Sequence, residues 1–273
     1  MIVGLLMLGG GAAAGVFGSL LGLGGGVMIV PLLTLGFGLP LRDAVGVSLV
    51  SVIMTSSAAA GVYLERHVAN LRLGMTLELF TALGALVGGS IAFLLDERLI
   101  TLLFAALLVY VAATMARAGT AQSSAVSELD VAPVASAGTA RVLDRLSGEG
   151  YRVRNLGRGV VGATGAGVAS ALLGIGGGIV KVPLMHIAMG VPLRVATATS
   201  NLMIGITAAA SAVIYIAHGG IDPYVAGPTA IGVFLGASAG SRLSHRVNLQ
   251  LLRWLFVAVL GYTAIQMVLR VVG

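Results

Sequence analysis

No Asp, Glu, Lys or Arg precedes Arg42, and further uncharged runs fill residues 44–64, 79–95, 99–116, 195–217 and 223–241. A helical run near 20 residues matches the roughly 30 Å of hydrocarbon in a bilayer, at about 1.5 Å of rise per residue. A soluble domain carries charge on roughly a quarter of its residues. This chain of 273 residues is 10% charged and 58% hydrophobic, so it has too little polar side chain to face water on every side. The expectation is an all-α polytopic membrane protein, multi-pass in a cell membrane, with a prokaryotic inner or plasma membrane as its location and the lipid bilayer as its first partner. The apolar start lacks a basic flank and stays uncharged far beyond signal-peptide length, which reads as mature protein.

The formal charge of +6 does not point to nucleic acid, because the basic residues stand singly near span ends, where lipid headgroups take them, rather than on one face with aromatics. With no cysteine, disulfides, thiolate metal sites and cysteine nucleophiles are excluded. His67, His186, His218 and His245 lack metal-ligand spacing, so neither a metal nor another cofactor is expected. A homo-oligomer stays open.

The chain repeats itself at an offset of 152 residues. Gly22-Leu-Gly-Gly-Gly26 with Val30-Pro31-Leu32 lies on Gly174-Ile-Gly-Gly-Gly178 with Val182-Pro183-Leu184, and Pro40-Leu41-Arg42 lies on Pro192-Leu193-Arg194. Of the 27 positions from 22 to 48, 13 are identical, and the same offset superposes Tyr63 on Tyr215, Gly84 and Gly88 on Gly236 and Gly240, and Tyr110 on Tyr262. Chance does not hold one register over ninety residues. The reading is two repeats of about four transmembrane helices: an N-terminal unit over 1–117, a polar linker over 118–156 and a C-terminal unit over 157–273. Helices are expected near 2–20, 43–64, 74–95, 98–117, 157–173, 194–217, 223–243 and 248–271. The arginines flanking the linker place it on the cytoplasmic side.

The first helix of each repeat is expected to break at its GGG motif. Residues 2–37 are too many for one span and too few for two with a loop, so a full helix broken at Gly24 to Gly26 and continued as a half-helix near 28–37 fits best. Whether the half-helix crosses decides between parallel and inverted repeats, and the sequence leaves both open. Three glycines each cost nearly 1 kcal/mol against Ala in a helix, and they free backbone groups that lipid cannot satisfy. Such a break needs burial or a wet cavity, and the amides opening the next half-helix suit an anion. The candidate binding residues are therefore Gly24, Gly25, Gly26, Gly176, Gly177 and Gly178, and the partner is a small anionic substrate. The competing reading is close helix packing, for which GxxxG is the commoner pattern.

These two motifs, each followed by its proline (Pro31, Pro183), resemble the TauE/SafE family of membrane transporters over nearly the whole chain outside the linker. The resemblance implies export of sulfite, sulfoacetate or related sulfur-containing anions, and it extends residue by residue only to the glycine breaks and the prolines. It does not choose a substrate.

Other residues qualify on chemistry alone. Lys181, whose counterpart is Ile29, is the one formal cation in the second break and its half-helix; it attracts the anion or snorkels to headgroups. Arg42 and Arg194 recur at a helix start, where a cation opposes the dipole, and either guide anions or bind lipid phosphate. Ser48, Thr199, Ser200 and Asn201 carry groups able to hydrogen-bond anion oxygens or a neighbouring helix. Glu78 stands inside a span, as a proton carrier or an interfacial residue. Gly236-Ala-Ser238-Ala-Gly240 matches a nucleophile-elbow pattern but lies in an apolar helix, and its repeat Gly84-Ala-Leu86-Val-Gly88 keeps only the glycines, which marks helix packing. The function expected is a secondary-type exporter of a small anion and not an enzyme. The alternatives are an anion channel and, further off, an intramembrane enzyme, for which no paired carboxylates or supported nucleophile stands at depth. An inside-negative potential would assist anion export by roughly 2.3 kcal/mol per charge per 100 mV.

Overall fold

The computed structural model describes residues 2–21, 26–65, 69–117, 147, 151, 153–243 and 249–272, and the regular elements among them are helices. Helix α1 spans Ile2–Leu21, and α2 spans Gly26–Pro31 before running on as a π-helical turn over Leu32–Gly36. Then come α3 (Leu41–Glu65), α4 (Leu71–Leu94) and α5 (Glu97–Arg117). The later helices are α6 (Leu156–Leu173), α7 (Gly178–Pro183, with a π turn over Leu184–Ala188), α8 (Leu193–Ala217), α9 (Pro223–Leu243) and α10 (Leu249–Val272). The starts of α7, its π turn, α8, α9 and α10 each fall 152 residues after those of α2, its π turn, α3, α4 and α5.

Among the described residues five stretches are long and apolar enough to cross a bilayer: Leu71–Leu94, Glu97–Ala116, Leu156–Leu173, Val195–Ala217 and Trp254–Val271. The chain is a multi-pass membrane protein. Leu5, Leu79, Leu83, Ile216, Trp254 and Leu269 stand exposed, a surface suited to acyl chains rather than water.

Local chemistry sets the helix ends. Gly174, at φ +68°, closes α6 in the left-handed region, and Gly176 and Gly177 follow at +72° and +74°, where a Cβ costs roughly 1–2 kcal/mol. Both π turns follow a proline, and both end on a 6→1 bond, from Leu39 N to Leu33 O (3.1 Å) and from Val191 N to Met185 O (3.0 Å), around Gly38 and Gly190 at positive φ. Helix α4 opens three residues before the expected 74, because the Asn70 side chain accepts from Leu73 N at 3.0 Å and its carbonyl accepts from Gly74 N at 2.9 Å. Glu78 therefore sits two turns inside α4 instead of near its mouth. Helix α6 opens at Leu156, one residue before the expected boundary.

The main packings join an element before residue 118 to one after 155: α1 with α9, α4 with α6, α5 with α10, and α3 with both α8 and α9. Helices α3 and α8 cross antiparallel. A Cβ on Gly46, near the start of α3, would strike the carbonyl of Gly220 beyond the end of α8, while the Ser56 hydroxyl donates to the carbonyl of Asn201 near the start of α8. The α1·α9 and α4·α6 pairs mesh through glycine. A Cβ on Gly11 or Gly15 would meet the carbonyl of Thr229 or Val233, and one on Gly236 would meet that of Ala12. On α4, a Cβ on Gly88 would lie 2.6 Å from the Val168 backbone of α6. Gly88→Ala must push these backbones apart and is expected to lower stability by about 1–3 kcal/mol, read as a fall in Tm of the detergent-purified protein.

Candidate functional site

The second glycine break is buried from Gly174 through Gly178 and rests against the crossing of α3 and α8. A Cβ on Gly176 would meet Val52 of α3 and Ile204 of α8, and one on Gly178 would meet Ile204 and approach the Ser200 Oγ to 3.7 Å. The start of α2 reaches the same point: a Cβ on Gly26 would lie 2.7 Å from the carbonyl of Gly174 and 3.1 Å from the Ser48 Oγ. Ser48 joins the second break to the start of α2, its hydroxyl lying 2.7 Å from Gly174 O and 3.3 Å from Gly26 O. Gly24 and Gly25 lie outside the described residues.

Around this junction the polar groups divide into satisfied and unsatisfied. The hydroxyls of Ser200 and of Ser170, the latter in the last turn of α6, are buried and find no hydrogen-bond partner among the described residues. Ser170 borders the break, since a Cβ on Gly177 would sit 3.3 Å from its Cβ and 3.4 Å from the Lys181 Cε. The first backbone bonds of α7 run from Val180 N (3.2 Å) and Lys181 N (3.0 Å) to Gly177 O. The amides of Gly178 and Ile179 precede that ladder and point into the break.

Lys181 does not snorkel. It is 1% exposed, and its Nζ lies 3.1 Å from Glu78 Oε2 of α4. Thr207, fifteenth of the 25 residues of α8 and so near mid-helix, closes a triangle: its Oγ1 lies 2.5 Å from Lys181 Nζ and 2.6 Å from Glu78 Oε1. Glu78 is 4% exposed, so this is a buried ion pair linking α4, α7 and α8.

The remaining candidates lie elsewhere. The Thr199 Oγ1 accepts from Asn70 N at 2.9 Å and helps to hold the start of α4. The Asn70 side chain in turn donates to the Tyr151 hydroxyl at 2.7 Å, whose pKa is raised by burial, against the lowering effect of that bond. Asn201 meets Ser56 through its carbonyl. Arg42 is at the opposite end of the helices, donating to the carbonyl of Leu95 and lying 5.9 Å from the Phe93 ring, which stacks on His218 at 4.2 Å. The Arg194 side chain lies outside the described residues. A cleft lined by Thr34, Glu97, Arg98 and Arg270 is also remote from the junction, with Arg270 donating to Thr34 O at 2.9 Å.

Sequence reasoning singled out Gly26, Gly176 to Gly178, Ser48, Ser200 and Lys181, which the structure gathers, and it missed Ser170 and Thr207. Thr207 recurs as Thr55 in the first half, a signal available from the repeat, whereas Ser170 falls on Gly18 and has none.

A helical chain with several apolar spans and a buried polar junction beside a glycine break is a polytopic membrane protein. The comparisons name the group. The family model described as "Sulfite exporter TauE/SafE" matches residues 7–267, and the chain belongs to that family of membrane transporters. Relatives include the probable membrane transporter protein YunE of Bacillus subtilis (strain 168), 25% identical over 87% of each chain. A probable membrane transporter protein of Xylella fastidiosa (strain 9a5c) is 27% identical over 89% of this chain and 86% of that one. Another, from Methanocaldococcus jannaschii, is 24% identical over 95% of this chain and 93% of its own length. No solved structure matches the chain.

Ser48 and Ser200 occupy equivalent places in the repeat but differ in bonding, which gives a direct test. Ser48→Ala leaves two buried carbonyls without their shared donor and is expected to cost about 1–3 kcal/mol. Ser200→Ala removes a hydroxyl that has no partner and should leave Tm unchanged or slightly raised. Thermal unfolding of both purified variants distinguishes the two roles.

Proposed function

We propose that the chain is a secondary-type carrier that exports a small sulfur-containing oxyanion, such as sulfite or sulfoacetate, across a prokaryotic plasma membrane. In this reading residues 1–117 and 157–273 are two inverted copies of one helical unit, joined by the polar segment 118–156, and each unit's first helix is interrupted at its glycine run. The antiparallel crossing of α3 and α8, equivalent helices at the 152-residue offset, supports inversion. The recurrence of helix starts at that offset supports duplication. The family description supports the class of substrate.

The observation that carries the reading is the unsatisfied polarity at the second break. Two buried hydroxyls without partners, Ser170 and Ser200, flank a helix opening whose leading amides are outside the ladder. A buried donor left unpaired costs about 1–3 kcal/mol, and an oxyanion supplies the acceptors that would recover it. The neighbouring dipole has the sign for an anion.

Two variants test the site. Gly177→Val places a branched side chain at φ +74° and between Ser170 and Lys181, so sulfite or sulfoacetate binding should weaken at least about tenfold, with some loss of Tm from backbone strain. Ser170→Ala should weaken binding about ten- to a hundredfold while leaving Tm in place, since it removes one donor to a charged acceptor and no native bond. Isothermal titration of the purified variants measures both, and wild-type affinity in the two would remove the break from the site. Saturable flux in proteoliposomes is the expected mark of a carrier; flux proportional to concentration would mark a channel.

A further inference from the structure

Glu78 and Lys181 are 103 residues apart in the chain, on α4 and α7, yet they meet in the buried middle of the bundle. Their counterparts at the 152-residue offset are Ala230 and Ile29, both buried, so the corresponding place in the other half holds no charge pair. The packing of the fold does not demand a charge pair at this position. An ion pair is expensive to desolvate, and apolar residues of similar volume commonly do as well or better for stability. The geometry is that of an oxyanion site already filled. The ammonium of Lys181 faces one Glu78 oxygen at 3.1 Å, and the hydroxyl of Thr207 faces the other at 2.6 Å. Two donors address two oxygens on one atom, as a sulfite or sulfonate group would present them. The pair adjoins the second break, since the Lys181 Cε and Ser170 both border Gly177.

Resting on the carrier reading above, we propose that the Glu78 carboxylate is an internal competitor for the substrate: the oxyanion takes its place on Lys181 and Thr207 when a proton neutralises Glu78, which makes anion binding proton-linked. The balance is simple. A proton from the water phase forms one O–H bond on the Glu78 carboxylate, no other covalent bond changes, and the carboxyl lets go of the ammonium. The site holds one positive and one negative charge before and after, so a monovalent anion enters without net charge. Two anions on one buried ammonium would leave a negative charge uncompensated, which the low-dielectric interior penalises. The potential-assisted export expected from the sequence gives way here to movement of anion and proton together, with no net charge carried for a monoanion.

Lys181 is the charged group within hydrogen-bonding distance of Glu78 among the described residues. From α8 it is faced by Thr207, which also bonds Met203 O at 3.1 Å. Among the described side chains, the other titratable ones on α4 and on the elements packed against it are Arg72, Arg158 of α6, His186 of the α7 π turn and His218 at the end of α8, all exposed. The buried Tyr215 of α8 is bonded to Ala171 O at 3.0 Å, and Tyr151 is bonded to Asn70. The linkage therefore belongs to Glu78.

The test uses the purified full-length chain and sulfite, sulfate, methanesulfonate and sulfoacetate as probes. Titration calorimetry in two buffers of different ionisation enthalpy gives the protons taken up per anion, after correction for the free anion's own protonation. The wild type should take up about one proton per anion bound, and its affinity should fall about tenfold for each unit rise in pH through the range in which that proton is taken up. Glu78→Gln should bind with no uptake and no pH dependence. Thr207→Val, which keeps the ion pair, should weaken binding about tenfold with uptake intact. An ion pair that merely fixes helix register predicts the opposite: binding in the wild type without uptake, and wild-type affinity in Thr207→Val. Either result overturns the proposal, as does undiminished uptake in Glu78→Gln. Should Glu78→Gln fail to fold, wild-type uptake and the Thr207→Val affinity decide the matter together. If the wild type binds none of the four anions, the carrier reading falls and this proposal with it; binding without uptake removes only the proposal.

Discussion

A backbone carbonyl that leaves its helix inside a membrane has no water to turn to, and this fold depends on how that problem is solved at one point. At the second glycine break the Gly174 carbonyl accepts from the Ser48 hydroxyl at 2.7 Å, and that hydroxyl also lies 3.3 Å from the carbonyl of Gly26 at the start of α2. This contact holds Gly26 and Gly174 within a hydrogen bond of the same side chain, beside the crossing of α3 and α8. Glycine at Gly26 and Gly176 leaves the room for that crossing, since a Cβ there would meet Val52, and at Gly176 Ile204 as well. Each apolar span can then stay a plain helix, because the irregular backbone is confined to a buried centre.

The junction also concentrates what an apolar chain can least easily hide. Glu78, Lys181 and Thr207 form a closed triangle, and removing one member of a buried ion pair typically costs about 3–5 kcal/mol. Close by, Ser170 and Ser200 bring hydroxyls that find no acceptor among the described residues. Satisfied and unsatisfied polar groups thus stand side by side at the second break.

Much of this was legible in the sequence because the bilayer simplifies it. Helix limits follow the charged and proline-bearing gaps closely, and the offset of 152 residues marks which glycines act together. The start of α4 was misplaced because the Asn70 cap lies ahead of the apolar run, and with it Glu78 looked interfacial when it is buried. Lys181 and Glu78 carry no repeat signal. Arg42 recurs as Arg194, a pattern that suits either anion guidance or a lipid phosphate, and its guanidinium donates to the carbonyl at the end of α4. Recurrence identifies residues that matter to both halves without saying whether they hold a helix or a ligand.

The glycine stripes of α1 and α4 have one further consequence. Each meshes with a helix made later, α9 for α1 and α6 for α4, so neither end of the chain owns a core it can complete alone. As the ribosome feeds the membrane, α1 must wait through more than two hundred residues with its small-residue groove turned to lipid or to a borrowed neighbour. Assembly is late and collective, and a chain that stops early presents open grooves to the quality-control machinery of the membrane.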